Sequence, residues 1–473
     1  MDSATAVVTN PLLALGAFVG VIVILLFLIA RWRWHVFLAL LVPLLLFGII
    51  PGVEKNNFID AFETGFGSTL GSIGVVIVLG SIIAEALRHT GAIQTITRTM
   101  VNVIGRQRMP LALTLTGFVL GIAIFSDVAY VILNPLVHSA AKLMGVTIST
   151  MSIGLVGSLQ LTHAIVPPTP GPLAAAGLIG ADIGKTIMFG GIACLVGSLA
   201  SWVWGQYIVG PRLPTLPSDE FAADTLLFDD GTEAPGAAAA PDATATPAAP
   251  GALASYAPIV VPIALISAQS VSQLFFAQSL PEDHPIRSAL TFIGWPVVAL
   301  SVGVCLAYLS VRTEEQKKAS RSEWIEEALR TSAMILVVTG LGGSLSQILR
   351  NTPAVEFISG FFADSGLPAI LLPFVIGIIG NLITGSTTVG VITAAAIVTP
   401  MLATLSLSPE AAMLAGASGS VIIKYVNSSY FWVCTSLSRL PVNEAIIGYG
   451  GATLVGGIAS FAAVWIMWAV GLI

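Results

Sequence analysis

Charged residues are scarce in this chain. They make up 9% of its 473 residues, whereas hydrophobic residues make up 55%. A soluble domain of this size could not cover its surface with so few charges. The composition therefore excludes a soluble enzyme or a soluble binding module, and it predicts a protein that lies within a membrane.

Cysteine is rare as well. Cys194, Cys305 and Cys434 are scattered through apolar segments, which argues against a disulfide framework or a metal site. An H-E-x-x-H metal motif is missing, and no cluster of lysine and arginine reaches the density that binding to nucleic acid requires. We therefore expect no cofactor, no metal and no nucleic-acid partner.

What the sequence does contain is a series of long apolar runs. About twenty apolar residues are needed to cross a bilayer as a helix. The runs predict an all-α polytopic protein with about ten to twelve spans, in contact with the lipids of a bacterial inner (plasma) membrane. No basic region precedes the first run, so we expect it to be a retained span rather than a cleaved signal. The runs cover residues 11–30, 36–51, 71–87, 111–125, 190–209, 256–277, 289–311, 332–349, 368–383 and 452–473.

Two stretches of the chain, residues 75–92 and 337–354, align with each other without a gap. The same register later pairs His163 with Tyr425. Internal duplication in a helical membrane protein is typical of secondary transporters, which bind their substrate where the two halves meet. The identical pairs are Val75/Val337, Val76/Val338, Leu79/Leu341, Gly80/Gly342, Leu87/Leu349, Arg88/Arg350, Thr90/Thr352 and Ala92/Ala354.

The basic residues predict the direction of each copy. Arginines at 88–108 follow the first copy, so this copy ends in the cytoplasm, whereas lysines and arginines at 312–330 precede the second copy, which starts there. We therefore predict two inverted-topology repeats, residues 1–210 and 256–473, with both termini extracytoplasmic.

The segment between the halves, residues 211–255, has a different composition. It is acidic, rich in alanine and proline, and almost without large apolar residues, which predicts a flexible cytoplasmic linker. Further along, residues 314–330 combine charges at helical spacing with Trp324. This pattern predicts an amphipathic helix on the cytoplasmic face of the membrane.

Proline- and glycine-rich sequence at membrane depth predicts interrupted helices and re-entrant hairpins, because freed backbone groups must face protein or a watery cavity. Such sequence occurs at 117–135, 161–172 and 380–390, and a polar stretch follows at 424–432. Interrupted helices would offer backbone amides and hydroxyl groups to a carboxylate.

These segments supply the candidate site residues. Asp127 and His163 are titratable groups that could carry protons, although helix capping and structural hydrogen bonding are the alternatives. Lys424 is a candidate counter-ion for a carboxylate, or else an interface residue. The predicted substrate- and ion-binding set is Ser126, Asp127, His163, Thr169, Asn381, Ser386, Thr387, Thr388, Tyr425, Asn427, Ser428 and Ser429.

At these positions the sequence resembles the gluconate permease family of sugar-acid:proton symporters, within the wider ion-transporter superfamily. The most specific phrases are FSDVAYVILNP (125–135), THAIVPPTPGP (162–172) and GNLITGSTTVG (380–390). The resemblance implies a two-domain transporter, with paired re-entrant segments, that imports a small hydroxylated carboxylate with protons. The chain departs from the family motif His-Val-Asn-Asp-Ser-Gly-Phe-Trp, which here reads YVNSSYFW (425–432).

We therefore expect a secondary active transporter, not an enzyme, that imports gluconate or a related sugar acid coupled to protons. The alternatives are a Na⁺-coupled carboxylate transporter, with a cation site at Ser386, Thr387 and Thr388, and a transporter of D-serine or glycerate. A channel is less consistent with inverted halves. An intramembrane serine hydrolase is disfavoured because no histidine follows Ser418 of its G-x-S-G sequence. A homo-oligomer is compatible with the sequence.

Overall fold

The structure is a computed structural model that describes residues 6–32, 34–213, 250–276, 284–353, 367–425 and 428–473. Within these ranges the chain forms helices and no strands, which confirms the all-α prediction. In the first half the helices are α1 (Pro11–Ala30), α2 (Val36–Ile49), α3 (Lys55–Thr90), α4 (Ala92–Ile104), α5 (Met109–Gly121), α6 (Ser126–Met144), α7 (Ile148–Ile165), α8 (Pro170–Ile179) and α9 (Ile183–Val203). In the second half they are α10 (Ala252–Phe276), α11 (Pro285–Gly294), α12 (Pro296–Tyr308), α13 (Glu314–Arg321), α14 (Glu323–Arg350), α15 (Leu371–Thr384), α16 (Thr387–Val398), α17 (Pro409–Ser420), α18 (Ser429–Leu437), α19 (Val442–Ala445) and α20 (Gly451–Ala469).

Several of these helices have the length and apolar character of membrane spans. Among the described residues four helical stretches could cross a membrane, or six if each bent pair of helices is one span. The prediction of ten to twelve spans stays a prediction. The four stretches are Ile183–Arg212, Ala252–Gln269, Glu314–Arg350 and Val442–Ala469, and the bent pairs are Lys55–Ser72 with Gly74–Thr90 and Pro285–Gly294 with Pro296–Tyr308.

The two copies of the internal repeat lie on α3 and α14, which pack against each other in opposite directions. Gly65 of α3 meets Gly343 of α14, and further along α3 the Ser81 hydroxyl accepts a hydrogen bond from Ser332 at 2.9 Å. A Cβ atom on either glycine would overlap the backbone of the other, so only glycine permits this close crossing. The antiparallel packing agrees with the directions that the basic residues predict for the two copies.

Helices α5 and α6 form a hairpin that ends inside the protein. Gly117 of α5 packs on Leu155 of α7, and Gly121 packs on Leu159, so α5 and α7 run parallel. Three residues separate the end of α6 from the start of α7, and α6 runs back along α7. We call the turn of this hairpin, residues 122–125, the first tip.

Helices α15 and α16 repeat this arrangement in the second half. Gly416 of α17 packs on Pro373 of α15, and Gly377 packs on Ser420, so α15 and α17 also run parallel. The turn between α15 and α16, residues 385–386, is the second tip. Gly385 adopts φ 72°, a left-handed conformation that ends α15 and that favours glycine.

Each half also contains an interrupted helix. The first break, residues 166–169, separates α7 from α8, and the second, residues 421–428, separates α17 from α18. Side chains donate to a carbonyl group at each break, which compensates part of the cost of broken helices in a membrane interior. The Thr169 hydroxyl donates to the His163 carbonyl at 2.9 Å, and Asn381 Nδ2 donates to the Ile422 carbonyl at 2.8 Å.

The prediction of one surface helix at 314–330 is wrong. Helix α13 ends at Arg321, and the residues from Glu323 onward form the first turns of α14. Trp324 is only 2% exposed and stacks on the ring of His89, with 5.0 Å between ring centroids. Its apolar surface therefore binds the end of α3 instead of lipid.

The predicted linker, residues 211–255, lies mostly outside the described residues. Its predicted C-terminal boundary differs from the structure, because helix α10 already begins at Ala252. The last residues of the predicted linker, 252–255, therefore belong to helix α10.

Candidate functional site

Both tips, the last turns of α7 and the second break line one cavity of about 450 Å³. This volume lies in the range that holds small-molecule ligands in other proteins. Residues of α14 from Thr331 to Val338 form part of its wall. The members of the predicted site set that line the cavity are Ser126, Asp127, His163, Ser386, Thr387, Thr388 and Ser428.

The first tip presents a carboxylate to this cavity. Asp127 lies in the first turn of α6, and its Oδ1 atom accepts a hydrogen bond from the Val128 backbone N–H at 3.0 Å. A negative charge in the first turn of a helix is stabilised by the helix dipole. Within the described part of the chain, Asp127 forms no ion pair, so its carboxylate is available to a ligand in the cavity.

His163 lies in the last turn of α7 and is 6% exposed. Its ring is 5.2 Å from the ring of Phe125 on the first tip, and it lines the cavity together with Asp127 and Lys424. Among the described residues, no group bonds to its buried Nδ1 atom. A buried polar atom of this kind needs an explanation, and a ligand or proton at the cavity supplies one.

Gln160 is a site residue that the sequence analysis missed. Its Oε1 atom accepts from the Ser126 hydroxyl at 3.3 Å, and its Nε2 atom donates to the Thr387 hydroxyl at 3.1 Å. Gln160 therefore connects the residues that follow the first tip with those that follow the second. A signal was present, because Gln160 lies one helical turn before His163.

The second tip presents neutral hydroxyl groups. Ser386 caps α16, where its hydroxyl accepts from the Val389 backbone N–H at 3.3 Å. Thr387 is 5% exposed and bonds to Gln160, and Thr388 lies against Gly171 at the start of α8. These side chains can bind the hydroxyl groups of a polyol or a hydroxy acid.

Lys424 belongs to the cavity and not to the membrane interface. It is 3% exposed, and its ammonium group donates to Asn381 Oδ1 and to the Gly385 carbonyl, each at 2.7 Å. Its backbone N–H donates to the Thr453 hydroxyl at 2.9 Å. The structure thus places a cation beside the second tip. Arg439, by contrast, is exposed.

The other predicted site residues support the cavity without lining it, or they lie outside the described residues. Thr169 holds the first break, and Asn381 holds Lys424 and the second break. The Tyr425 hydroxyl donates to the Leu382 carbonyl at 3.1 Å. Asn427 lies outside the described residues, and so does the side chain of Ser429.

Three helices begin at the cavity, namely α6, α16 and α18. Ser126 and Thr387 are the first residues of α6 and α16, and Ser428 caps α18. Helix N-termini carry a partial positive charge and free N–H groups, so they favour anions. Asp127 offsets this potential at α6, whereas the N-termini of α16 and α18, together with Lys424, make their part of the cavity suited to a carboxylate.

Comparison with known proteins places these features in a family. Residues 12–471 match the family model described as GntP family permease. A gluconate permease of Pseudomonas aeruginosa is 30% identical over 436 residues, which cover 91% of this chain and 91% of that protein. The D-serine transporter DsdX of Escherichia coli K12 is 29% identical over 452 residues, which cover 94% of this chain and 96% of that protein.

A solved structure shares the fold. MtrF of Neisseria gonorrhoeae, from a class of antimetabolite efflux pumps, superposes with a TM-score of 0.63 at 17% sequence identity. The superposition covers 94% of this chain and 96% of MtrF. At this identity the likeness concerns the arrangement of helices and nothing further.

Proposed function

Because the chain belongs to the GntP family of permeases, we propose that it imports a small hydroxylated monocarboxylate, gluconate or a related sugar acid, together with protons. The protein is a membrane-integral permease and not an enzyme.

The proposal rests on one cavity at which both tips, the end of α7 and the second break meet. The second tip and α16 offer the hydroxyl groups of Ser386, Thr387 and Thr388, which suit a polyhydroxylated chain. The helix N-termini offer a positive potential, which suits a carboxylate. Broken helices that meet around a site are typical of secondary transporters.

Asp127 and His163 support proton coupling. Both line the cavity, and the His163 ring packs on Phe125, two residues before Asp127. Ionisable residues within membrane proteins are costly, and they commonly belong to ion pathways or proton relays. A proton bound at this pair would offset the negative charge that the substrate brings.

We further propose that the two halves are inverted repeats that give alternating access. Equivalent helices pack in opposite directions in two places. Helix α3 crosses α14 in this way. In the other place, the Ser201 hydroxyl of α9 donates to the Ala452 carbonyl of α20, while the Ser460 hydroxyl of α20 donates to Ala193 of α9. A pseudo-two-fold axis in the membrane plane produces this arrangement.

The test is uptake of radiolabelled D-gluconate and D-glycerate into proteoliposomes under an inward proton gradient. We expect uptake to require the gradient, to collapse with a protonophore and to be independent of sodium. Preloaded unlabelled substrate should drive counterflow, which a channel cannot do. Uptake that requires sodium and ignores the proton gradient would refute proton coupling and favour a cation site at the second tip.

D-Serine is the second candidate substrate. The cavity contains an ammonium group, Lys424, and a carboxylate, Asp127, that do not pair with each other. A zwitterion could bind both, and the relative DsdX is a D-serine transporter. D-Glycerate and D-serine differ only in a hydroxyl or an ammonium group on the α-carbon, so competition between them separates the two candidates.

A further inference from the structure

Lys424 carries a buried charge that the protein does not neutralise. Its ammonium group donates to Asn381 Oδ1 and to the Gly385 carbonyl, which are both uncharged. In the described part of the chain, no carboxylate lies within ion-pair distance of it. A cation buried without an anionic partner is costly, because neutral dipoles replace only part of its hydration.

The geometry explains how the unliganded protein tolerates this charge. Gly385 ends α15, so its carbonyl lies at the negative end of that helix dipole. An ammonium group has three N–H donors, and the protein engages two of them. Lys424 also lines the cavity, so the remaining donor is available to a ligand there.

We propose that Lys424 binds the carboxylate of the transported substrate. This inference rests on the proposed function, namely that the cavity carries a small organic acid. A charge-assisted hydrogen bond to a carboxylate would complete the donor set of Lys424 and supply the missing anion. Desolvation makes such a pair strong once the ligand fills the cavity.

The position of Lys424 also orients the substrate. With its carboxylate at the second tip, the remainder of the molecule extends along the cavity that His163 and Asp127 also line. A hydroxylated chain would then lie along Ser386 and Thr388. Asp127 would bind either the α-substituent of the substrate or a proton. Hydroxy acids and amino acids would therefore both bind Lys424 through their carboxylate.

A purely structural lysine is the competing explanation. Its two hydrogen bonds tie the second break to α15 and to the second tip, and their loss would loosen the cavity. Loosening would weaken every ligand alike. An anchor, by contrast, would weaken a carboxylate ligand far more than its neutral amide, so the ratio of these two affinities separates the explanations.

The experiment uses the purified full chain and the variants Lys424→Met and Lys424→Arg. Lys142→Met serves as the matched control, because Lys142 is exposed at the end of α6. Dissociation constants are measured for D-gluconate and D-gluconamide, and for D-glycerate and its amide. Thermal unfolding without ligand identifies any variant that does not fold.

For Lys424→Met we expect the acid to bind on the order of 100-fold more weakly, with the amide changed less than about threefold. Lys424→Arg should recover part of the acid affinity, and the control should match the wild type. Equal weakening of acid and amide, or unchanged acid binding, would overturn the inference and leave the proposed function intact. If no acid binds the wild-type protein, both proposals fail.

Discussion

The two hairpin tips share one geometry but differ in charge. The first tip leads into Asp127, whose carboxylate forms no ion pair among the described residues. The second tip offers the Gly385 carbonyl and the Ser386 hydroxyl, and it receives the ammonium group of Lys424. The two hairpins therefore share a backbone arrangement, while their side chains give the cavity one carboxylate and one ammonium group.

The interrupted helices differ in a related way. In the internal alignment, residue 165 at the end of α7 corresponds to residue 427, whereas α17 already ends at Ser420. The second half thus unwinds earlier. This unwinding allows the Lys424 backbone to bond to Thr453 and its side chain to reach the second tip. In the same register Lys424 corresponds to Thr162, so the first half has no charge at this position.

The largest effect should come from removing the negative end of the cavity. Asp127→Asn keeps the size of the side chain but cannot carry a proton. With a gradient of about two pH units, one coupled proton supports roughly 100-fold accumulation, since each unit corresponds to about 1.4 kcal/mol. We expect the variant to lose this accumulation and to retain counterflow.

Labelled-substrate uptake and counterflow in proteoliposomes measure both quantities. Glu315→Gln, which removes an exposed carboxylate of α13, is the control and should behave like the wild type. Normal accumulation by Asp127→Asn would contradict the assignment of the coupled proton to Asp127 and of the substrate carboxylate to Lys424.

A smaller effect should follow from separating the two copies of the repeat at their crossing. A side chain on Gly343 would overlap the Gly65 carbonyl and Thr69 of α3. We expect Gly343→Val to lower the free energy of unfolding by about 2–3 kcal/mol, as overpacking does elsewhere. Thermal unfolding in detergent is the measurement.

Gly67 provides the matched control, because a Cβ atom there meets nothing within 4 Å. Gly67→Ala should keep or raise stability, since alanine favours the helix. Similar thermal midpoints for Gly343→Val and the wild type would contradict the close antiparallel crossing of α3 and α14.

The smallest effect should come from cutting the link between the two tips. Gln160→Ala leaves the Ser126 and Thr387 hydroxyls without their shared partner. The loss of such buried hydrogen bonds costs about 1–2 kcal/mol, so we expect roughly tenfold weaker substrate affinity. Gln107→Ala, on the exposed turn before α5, is the control and should leave affinity unchanged. Unchanged affinity in Gln160→Ala would mean that the tips act independently.

Some site residues could be found without a structure. Asp127 and His163 stand out because a titratable group is rare and costly within apolar sequence. The hydroxyl-rich segment at 380–390 stands out because glycine and serine interrupt an apolar run. Gln160 gave a weaker signal, since a neutral polar residue on a helix is as compatible with packing as with function.

Amino-acid composition and local pattern determined that this is a helical membrane protein with broken helices, and they predict two related halves. These properties follow from the cost of exposing backbone polar groups to lipid, which acts on each segment separately. Only the tertiary structure decided that Trp324 packs on His89 and that Lys424 lies in the cavity instead of at the interface. Those choices depend on contacts between residues far apart in sequence, whose free energies no local pattern contains. The charge at either end of the cavity is therefore a property of the folded chain.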